Sequence, residues 1–233
     1  MKISIIGYGK MGKTIEKMAK SKGHSIVYIN NGEELDLQAI ATSDVAIEFT
    51  QPQAALGNIK SILSLGIPVV SGTTGWLKQK EQADAAALKN NVGFLYASNF
   101  SLGVNLFFQM NEKLATLMSK HKTYTPRIHE IHHTSKKDAP SGTAIGSAED
   151  IIRVHPEYSG WSQNDIEGKI KITEDRIDPY FGTHTVTYES DIDRISLEHH
   201  AKNREGFALG AILASEWVIG KTGIFDMKDV LEF

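Results

Sequence analysis

One short stretch of the chain carries residue types that suit proton transfer. His132, His133, Lys136 and Lys137 fall within six consecutive positions. Histidine titrates near neutral pH and lysine well above it, so proton donors of two classes lie side by side. The alternative is a solvated basic loop, which is the ordinary structure of a run of cationic residues. The residues that follow this run favour the chemical interpretation.

A predicted turn and helix start follow the cationic run directly. Pro140 disfavours helix before it, Ser141 is a good N-cap, and an alanine- and isoleucine-rich helix is predicted from Thr143 onward. The N-terminus of a helix presents unpaired N–H groups and a partial positive charge, which together bind a carboxylate or a phosphate. The stretch therefore predicts a small, strongly anionic substrate that receives a proton.

A glycine-rich turn near the start of the chain predicts a second kind of site. Residues 7–12 read G-Y-G-K-M-G, after a predicted buried strand and before a predicted helix. In that context Gly7 permits the tight turn, Gly9 lets a pyrophosphate approach the backbone, and Gly12 lets the helix pack closely on the strand. The motif predicts dinucleotide binding, whereas the alternative is a plain glycine-rich turn.

Two further features concern the same predicted site. Asn30 and Asn31 end the second predicted strand, where an acid usually holds the adenine ribose. Asn30 can hydrogen-bond a ribose hydroxyl, but neither residue repels or attracts a 2′-phosphate, so NADH and NADPH both stay open. The small and hydroxylated residues 71–75 follow another predicted strand. They suit either close passage of a cofactor or an ordinary tight turn.

The elements that must position these residues form two patterns. In residues 1–100 buried strands alternate with helices, which predicts a doubly wound parallel α/β sheet. A long helix is predicted over residues 102–120. Beyond it, strand-like segments surround a single helix, which predicts an α+β region with an open sheet. Residues 207–217 are apolar and helical, and residues 224–231 close the chain.

Composition and charge exclude several functional classes. The 233 residues carry a net charge of −3, so the chain has no global basic field for nucleic acid. It contains no cysteine, which excludes a thiolate nucleophile and a cysteine-ligated metal. Its histidines show no metal-ligand spacing, and no metal site is predicted. We expect neither a secretory leader nor a membrane span, and hence a cytoplasmic protein.

Taken together, these motifs resemble the dihydrodipicolinate reductase family, enzymes of lysine and diaminopimelate biosynthesis. The resemblance covers essentially the whole chain. Its segments are residues 7–12, 72–75, 97–105, 130–144 and 223–231. The segment 130–144, with the sequence EIHHTSKKDAPSGTA, is long and specific to that family.

The resemblance implies an activity and a set of residue roles. The family reduces 4-hydroxy-tetrahydrodipicolinate to tetrahydrodipicolinate with NADH or NADPH. His132 matches the family's proton donor or acceptor, and Lys136 matches its proton donor. The residues that match its dicarboxylate-binding positions are His133, Gly142 and Thr143. The residues that match its nicotinamide-cofactor segments are Gly7, Tyr8, Gly9, Lys10, Met11, Gly12, Gly72, Thr73, Thr74, Ala97, Ser98, Asn99 and Phe100.

The same resemblance implies a two-domain architecture. A Rossmann-type domain would comprise residues 1–103 and 205–233, with the C-terminal tail completing its sheet. An inserted domain with a mixed sheet, residues 104–204, would bind the substrate and form a homotetramer. The implied partners are therefore a small dicarboxylate and further copies of the chain, with no nucleic acid and no membrane.

The chain departs from the family pattern at three places. Thr134 and Ser135 replace basic or histidine residues, which makes the pocket less cationic, although Lys137 partly restores the charge. Asn30 and Asn31 replace the usual pair of an acid and a variable residue. The segment between positions 31 and 44 is also shorter than in many relatives.

Two rival functions stay open, and so does the choice of cofactor. One rival is another Rossmann-fold reductase, acting on an amino-acid aldehyde or a sugar, and the other is a nonenzymatic NAD-sensing protein. Glu33 and Glu34 bring negative charge near the ribose site, while Lys10 brings a positive charge. These exposed charges oppose each other and are each worth about 1 kcal/mol or less. We therefore expect NADH and NADPH to serve within about tenfold of each other.

Overall fold

The first part of the chain alternates strands and helices, as its sequence pattern predicts. The computed structural model describes residues 1–203 and 205–232. The elements of the first part are β1 (Lys2–Ile6), α1 (Lys10–Ser21), β2 (Ser25–Asn30), α2 (Leu37–Ile40), β3 (Val45–Glu48), α3 (Pro52–Leu63), β4 (Val69–Ser71), α4 (Lys80–Asn90) and β5 (Gly93–Tyr96). Strands β3, β4 and β5 are buried along their whole length, as strands covered by helices on both faces must be.

The middle of the chain forms the predicted α+β region. Its elements are α5 (Leu102–Met118), β6 (Thr125–His132), α6 (Gly142–Val154), β7 (Trp161–Ser162), β8 (Ile170–Arg176), β9 (Thr183–Glu189) and β10 (Arg194–His200). The strands form a sheet in the order β10-β9-β6-β8-β7, in which β6 runs antiparallel to β9 and parallel to β8. The sheet is therefore mixed and open, as expected.

The chain then returns to the first sheet. The last elements are α7 (Glu205–Val218), β11 (Gly223–Phe225) and α8 (Met227–Leu231). Strand β11 pairs with β5 and completes a six-stranded sheet in the order β11-β5-β4-β3-β1-β2. All five pairings in this sheet are parallel. The predicted fold class, a doubly wound parallel sheet with a second mixed sheet, is confirmed.

The two sheets belong to two separate units. The first unit comprises residues 1–102 and the chain from Glu205 onward, and the second begins at Gly103. The change of unit falls one residue before the predicted boundary after residue 103. The other predicted boundary residue, Arg204, and the terminal Phe233 lie outside the described residues.

Alternation along the strands divides the core of the first unit into two layers. Side chains of Ile3, Ile5 and Ile47 pack with α1 and α7, whereas those of Ile6 and Ala46 pack with α3 and α4. Successive side chains of a strand point to opposite faces, so helices cover both faces of this sheet. In the second unit, apolar residues of β6, β8 and β9 pack with α5 and α6.

Local details show where sequence patterns were too weak. The long helix α5 ends at Met118 rather than at residue 120. Helix α6 begins at Gly142, and Ser141 is its N-cap as predicted, because the Ser141 hydroxyl accepts the Ala144 N–H at 3.2 Å. Elements α2 and β7 are too short for periodicity to reveal. No helix among the described residues is long and apolar enough to cross a membrane.

Candidate active site

The glycine loop between β1 and α1 has the geometry that its motif predicts. Gly7 has a φ of +95°, and a Cβ there would lie 2.1 Å from the carbonyl oxygen of Phe49. A Cβ at Gly12 would lie 2.2 Å from the carbonyl oxygen of Gly7, so this position allows the close packing of helix on turn. A Cβ at Gly9 would meet no atom within 4 Å. The space in front of Gly9 is therefore open to a ligand.

A cavity of about 490 Å³ lies beside this loop, within the first unit. Its lining includes Gly7, Gly9, Asn31, Glu33 and Thr50. Helix α1 starts here without a side-chain cap on its first N–H groups, so these donors and the helix dipole suit a phosphate. The residues present fit a dinucleotide cofactor.

The turn after β2 brings an acid, Glu33, to the cavity where the sequence predicted a ribose contact from Asn30. The buried amide of Asn30 donates to the Glu33 carbonyl at 2.9 Å and accepts the Gly32 N–H at 3.1 Å. Asn30 thus folds the turn, and it also lines the cavity, so its contact with a ribose hydroxyl stays a prediction. The Glu33 carboxylate accepts the Asn31 N–H at 3.2 Å and lines the cavity. Glu33 is therefore an acid that lines this cavity.

A buried carboxylate that sequence analysis missed supports the other side of this cavity. Glu48, at the end of β3, accepts the hydroxyls of Ser71 at 2.6 Å and Thr73 at 2.8 Å. It also accepts the Thr50 N–H at 3.1 Å and the Thr50 hydroxyl. Glu48 thus ties the loop after β3 to the loop after β4. An acid at the end of an otherwise apolar strand was the signal for it.

The remaining predicted cofactor residues occupy different environments. Ala97 and Phe100 are buried in the core, and the Phe100 ring lies 5.6 Å from that of Phe49, so both offer a ligand only their backbone. The Tyr8 hydroxyl donates to Glu16. A Cβ at Gly72 would lie 2.2 Å from the Phe49 ring, so any larger residue there would displace that ring. The exposed members of the predicted cofactor set are Gly9, Lys10, Thr74 and Ser98.

In the second unit, the period of β6 brings two titratable groups to one face. Residues 126, 128, 130 and 132 are the buried positions of this strand, so Glu130 and His132 point to the same side. His184 from β9 joins them, with its ring centroid 5.0 Å from that of His132. The nearest nitrogens of the two rings each lie 3.6 Å from Oε2 of Glu130. Sequence analysis did not single out His184, because its position follows from strand pairing.

Glu130 is held as a carboxylate by several donors. Arg176 donates to Oε1 at 3.1 Å, and the Ser141 N–H donates to both oxygens at 3.1 and 3.2 Å. Burial alone would raise the pKa of Glu130. The interactions with His184, Ser141 and His132 outweigh burial and lower the pKa to about 2. Glu130 is therefore ionised at neutral pH.

His132 is a buried and neutral imidazole. Burial lowers its pKa to about 4; Glu130 opposes this shift, while His184, Lys136 and Arg176 add to it. Its Nδ1 has no hydrogen-bond partner among the described residues. This nitrogen faces Glu130, so a proton exchanged with a ligand would have to pass through the other ring nitrogen, Nε2. A dianionic ligand beside it would favour the protonated form.

Lys136 and its neighbours form the loop between β6 and α6. The Lys136 ammonium lies 2.8 and 2.7 Å from the two carboxylate oxygens of Asp138, and this contact lowers the pKa of Asp138. Thr134 and Ser135, which depart from the family pattern, bind locally: the Thr134 hydroxyl donates to Asp178 at 2.6 Å, and Ser135 Oγ lies 2.8 Å from His133 Nδ1. The loop is thus organised by its own side chains.

The start of α6 supplies a site for an anion. Ser141 caps the Ala144 N–H, and a Cβ at Gly142 would meet no atom within 4 Å. The N–H groups of Gly142 and Thr143 belong to the first turn, whose donors have no partner inside the helix. Of the predicted substrate residues, Gly142 and Thr143 therefore lie on the segment that follows Lys136, with open space beside Gly142, whereas His133 precedes Lys136.

The spacing of Glu130, His132 and His184 is also compatible with a metal ion. Each offers one ligand atom, and these atoms lie within 4.8 Å of one another. However, the Arg176 guanidinium already pairs with Glu130, and a fixed positive charge at that distance opposes a divalent cation. We therefore assign no metal to this cluster.

Comparisons with known proteins point in one direction. A family profile described as "Dihydrodipicolinate reductase, N-terminus" matches residues 1–100, and one described as "Dihydrodipicolinate reductase, C-terminus" matches residues 103–231. A 4-hydroxy-tetrahydrodipicolinate reductase of Christiangramia forsetii is 48% identical over 99% of this chain and 98% of its own length. A protein of the same name from Methanocaldococcus jannaschii is 36% identical, with 97% of this chain and 80% of its own length covered.

Solved structures agree with the fold. The chain is similar to a structure described as dipicolinate-bound dihydrodipicolinate reductase from Paenisporosarcina sp. TG-14, with a TM-score of 0.80 and 98% of each chain covered. At 22% identity this similarity supports the architecture alone. An amine dehydrogenase from Mycobacterium smegmatis has a TM-score of 0.60 at 10% identity, covering 96% of this chain and 94% of its own.

Proposed function

The chain belongs to the dihydrodipicolinate reductase family, and from this premise we propose that it reduces 4-hydroxy-tetrahydrodipicolinate to tetrahydrodipicolinate with a nicotinamide cofactor. The observation that carries the proposal is the buried His132 together with the loop that contains Lys136. This loop lies directly before the first turn of α6, whose N–H groups suit a carboxylate. The first unit would hold the cofactor, and the second would hold the substrate.

Two groups of donors would bind the two carboxylates of the substrate. The N–H groups of Gly142 and Thr143 suit one carboxylate because they lie at a helix start. His133 and the Lys136 ammonium suit the other, through charge-assisted hydrogen bonds. The substrate is held through its two carboxylates because its reacting carbon atoms carry no charge that the protein could bind.

His132 and Lys136 would supply the proton of the reaction. Loss of the substrate's 4-hydroxyl as water would leave a conjugated double bond, to which a bound nicotinamide would supply a hydride, and the neighbouring atom then needs one proton. Lys136 carries a proton in its ion pair with Asp138 and can transfer it as a general acid. His132, whose pKa is about 4 without ligand, would take up a proton only when the substrate's negative charge offsets its burial.

Both NADH and NADPH would serve as cofactors. Glu33 in the cavity favours the free ribose hydroxyls of NADH, while Lys10 at the start of α1 attracts the 2′-phosphate of NADPH. Each exposed charge is worth about 1 kcal/mol or less. By family resemblance alone, we also propose a homotetramer in the cytoplasm.

The function is tested by a coupled assay that generates 4-hydroxy-tetrahydrodipicolinate in place and supplies NADH and NADPH in parallel reactions. We expect turnover with both cofactors, at catalytic efficiencies within about tenfold. Faster reduction of an amino-acid aldehyde or a sugar would instead support another reductase. Tight NADH binding without any turnover would support an NAD-sensing protein.

A further inference from the structure

Glu130 is a buried carboxylate whose partners come from several elements of the second unit. Arg176 on β8 and the Ser141 N–H before α6 donate to it at 3.1 to 3.2 Å. His132 on its own strand and His184 on β9 each bring a nitrogen to 3.6 Å. The side chain has no exposed surface, and a carboxylate buried without such partners would strongly destabilise the fold.

Arg176 extends these contacts to the loop that carries Lys136. Its Nη2 also donates to the backbone carbonyl of Asp138 at 2.8 Å, and the Asp138 carboxylate binds the Lys136 ammonium. The Glu130–Arg176 ion pair therefore holds the loop at two backbone points, the carbonyl of residue 138 and the N–H of residue 141. Lys136 lies just before the first point, and α6 begins just after the second.

We propose that the Glu130–Arg176 ion pair positions the catalytic groups of this site. In this role Glu130 and Arg176 act through other residues: they keep Lys136, the start of α6 and the His132 ring at fixed separations. The inference rests on the proposed function, since it concerns the same site. Fixed separations matter because a misplacement of about 1 Å can cost on the order of 100-fold in rate.

The pair also sets the charge around His132. The groups that face its ring are Glu130 on the same strand, His184 on β9, Arg176 on β8 and Lys136 on the loop. Of these four groups, the Glu130 carboxylate alone favours a protonated His132. In a Glu130→Gln variant, His132 should therefore accept a proton only at lower pH than in the wild type.

The test uses Glu130→Gln, Arg176→Met, the double variant and a matched control. The control is Glu174→Gln, because Glu174 pairs with Glu130 in the β6–β8 register but its carboxylate binds Gln163 at 2.8 Å. Each single variant should lower kcat by up to about 100-fold and leave the KM for NADH unchanged, because the glycine loop belongs to the other unit. The double variant should lose about as much as one single variant, since the two residues act together.

Folding is checked by thermal unfolding, and the His132 ring is titrated by NMR. If Glu130→Gln does not fold, Arg176→Met carries the test, because the Arg176 side chain is 21% exposed. A lower titration midpoint of His132 in Glu130→Gln would support the electrostatic part of the inference, and an unchanged midpoint would contradict it. Wild-type kcat in both single variants, or losses that multiply in the double variant, would overturn it.

The failure of this inference differs from the failure of the proposed function. If the wild-type protein does not reduce the dicarboxylate, the proposed function is wrong, whatever the variants do. If the wild type is active and the two single variants are equally active, only the role of the ion pair is wrong.

Discussion

Two buried carboxylates, one in each unit, are held by different kinds of partner. Glu48 at the end of β3 accepts hydrogen bonds from Ser71, Thr73 and Thr50, all of which are neutral donors. Among the described residues no cation lies within ion-pair distance of it. Both Glu48 and Glu130 are fully buried, so the contrast lies in their partners and not in their exposure.

Glu130 instead binds a guanidinium and lies beside two imidazoles. Neutral hydroxyls can hold loops in place, but they do not change the charge of a neighbouring group. The Glu130 carboxylate, between Arg176 and His132, both holds a loop in place and affects the charge of the neighbouring imidazole. In the first unit the buried carboxylate therefore ties loops together beside a cavity, whereas in the second it also affects the pKa of a buried imidazole.

Gly9→Val should produce the largest effect, and it should be confined to the first unit. A valine there has room in the ligand-free protein, because nothing lies within 4 Å of its Cβ, but it occupies the position of the pyrophosphate. Calorimetry should detect no NADH binding by a protein that is still folded. Gly12→Val is the control that should unfold the protein, since its Cβ would lie 2.2 Å from a carbonyl oxygen. An unchanged dissociation constant for NADH in Gly9→Val would contradict the cofactor site.

Glu48→Gln sharpens the comparison of the two carboxylates. An amide has one acceptor oxygen in place of two, so hydroxyl and N–H donors that now bind Glu48 lose partners. We expect the free energy of unfolding, measured by urea titration, to fall by about 1–3 kcal/mol. The kcat of the folded enzyme should change little. A large loss of kcat at unchanged stability would show that Glu48, like Glu130, acts in the chemistry.

His132 should make the protein less stable in mild acid. Its pKa is about 4 when folded and 6.5 in the ordinary state, so the unfolded chain binds more protons and stability falls as pH falls. The neutral His132 ring contributes its full share to the free energy of unfolding above pH 6.5, and this share is lost as the pH falls towards 4. Between pH 7 and pH 5 it amounts to about 2 kcal/mol. His132→Gln should remove that part of the decline, and His129→Gln, on the same strand but half-exposed, should keep it.

Glu33→Gln should produce the smallest effect, a change of cofactor preference. Removing the carboxylate from the cavity should raise the efficiency with NADPH relative to NADH by up to about tenfold. Glu34→Gln is the control, because Glu34 is exposed and does not line the cavity. Asn31→Arg should shift the ratio further towards NADPH, most of all at low salt, where charges are weakly screened. A thousandfold wild-type preference for either cofactor would show that another residue reads the 2′ position.

The sequence predicted the first unit better than the second because its signals are local. The glycine loop lies in one contiguous stretch, and the roles of Gly7 and Gly12 follow from a turn and a packed helix. The second site depends on strand pairing: Arg176 and His184 reach Glu130 from β8 and β9, 46 residues away in the case of Arg176. A single chain shows no such pairing. The alternation on β6 could have placed Glu130 beside His132, and only the fold shows what surrounds them.

The ribose contact shows a second limit of sequence reasoning. A side chain such as Asn30 can bind a ligand or its own backbone, and these uses look the same in a sequence. In the structure its amide folds the turn through Gly32 and Glu33. Glu33, which lines the same cavity, stands at a position that no motif identifies.

The most direct test of the account measures kcat and melting temperature for Lys136→Ala and His132→Gln beside the wild type. Both variants should lose turnover by roughly 100-fold or more, the scale of general acid catalysis. Lys136→Ala should keep its melting temperature, because its pair with the largely exposed Asp138 carboxylate adds little stability. Calorimetry should give wild-type NADH binding for both. Near-normal turnover in both variants would contradict the assignment of the proton donors to this loop and strand.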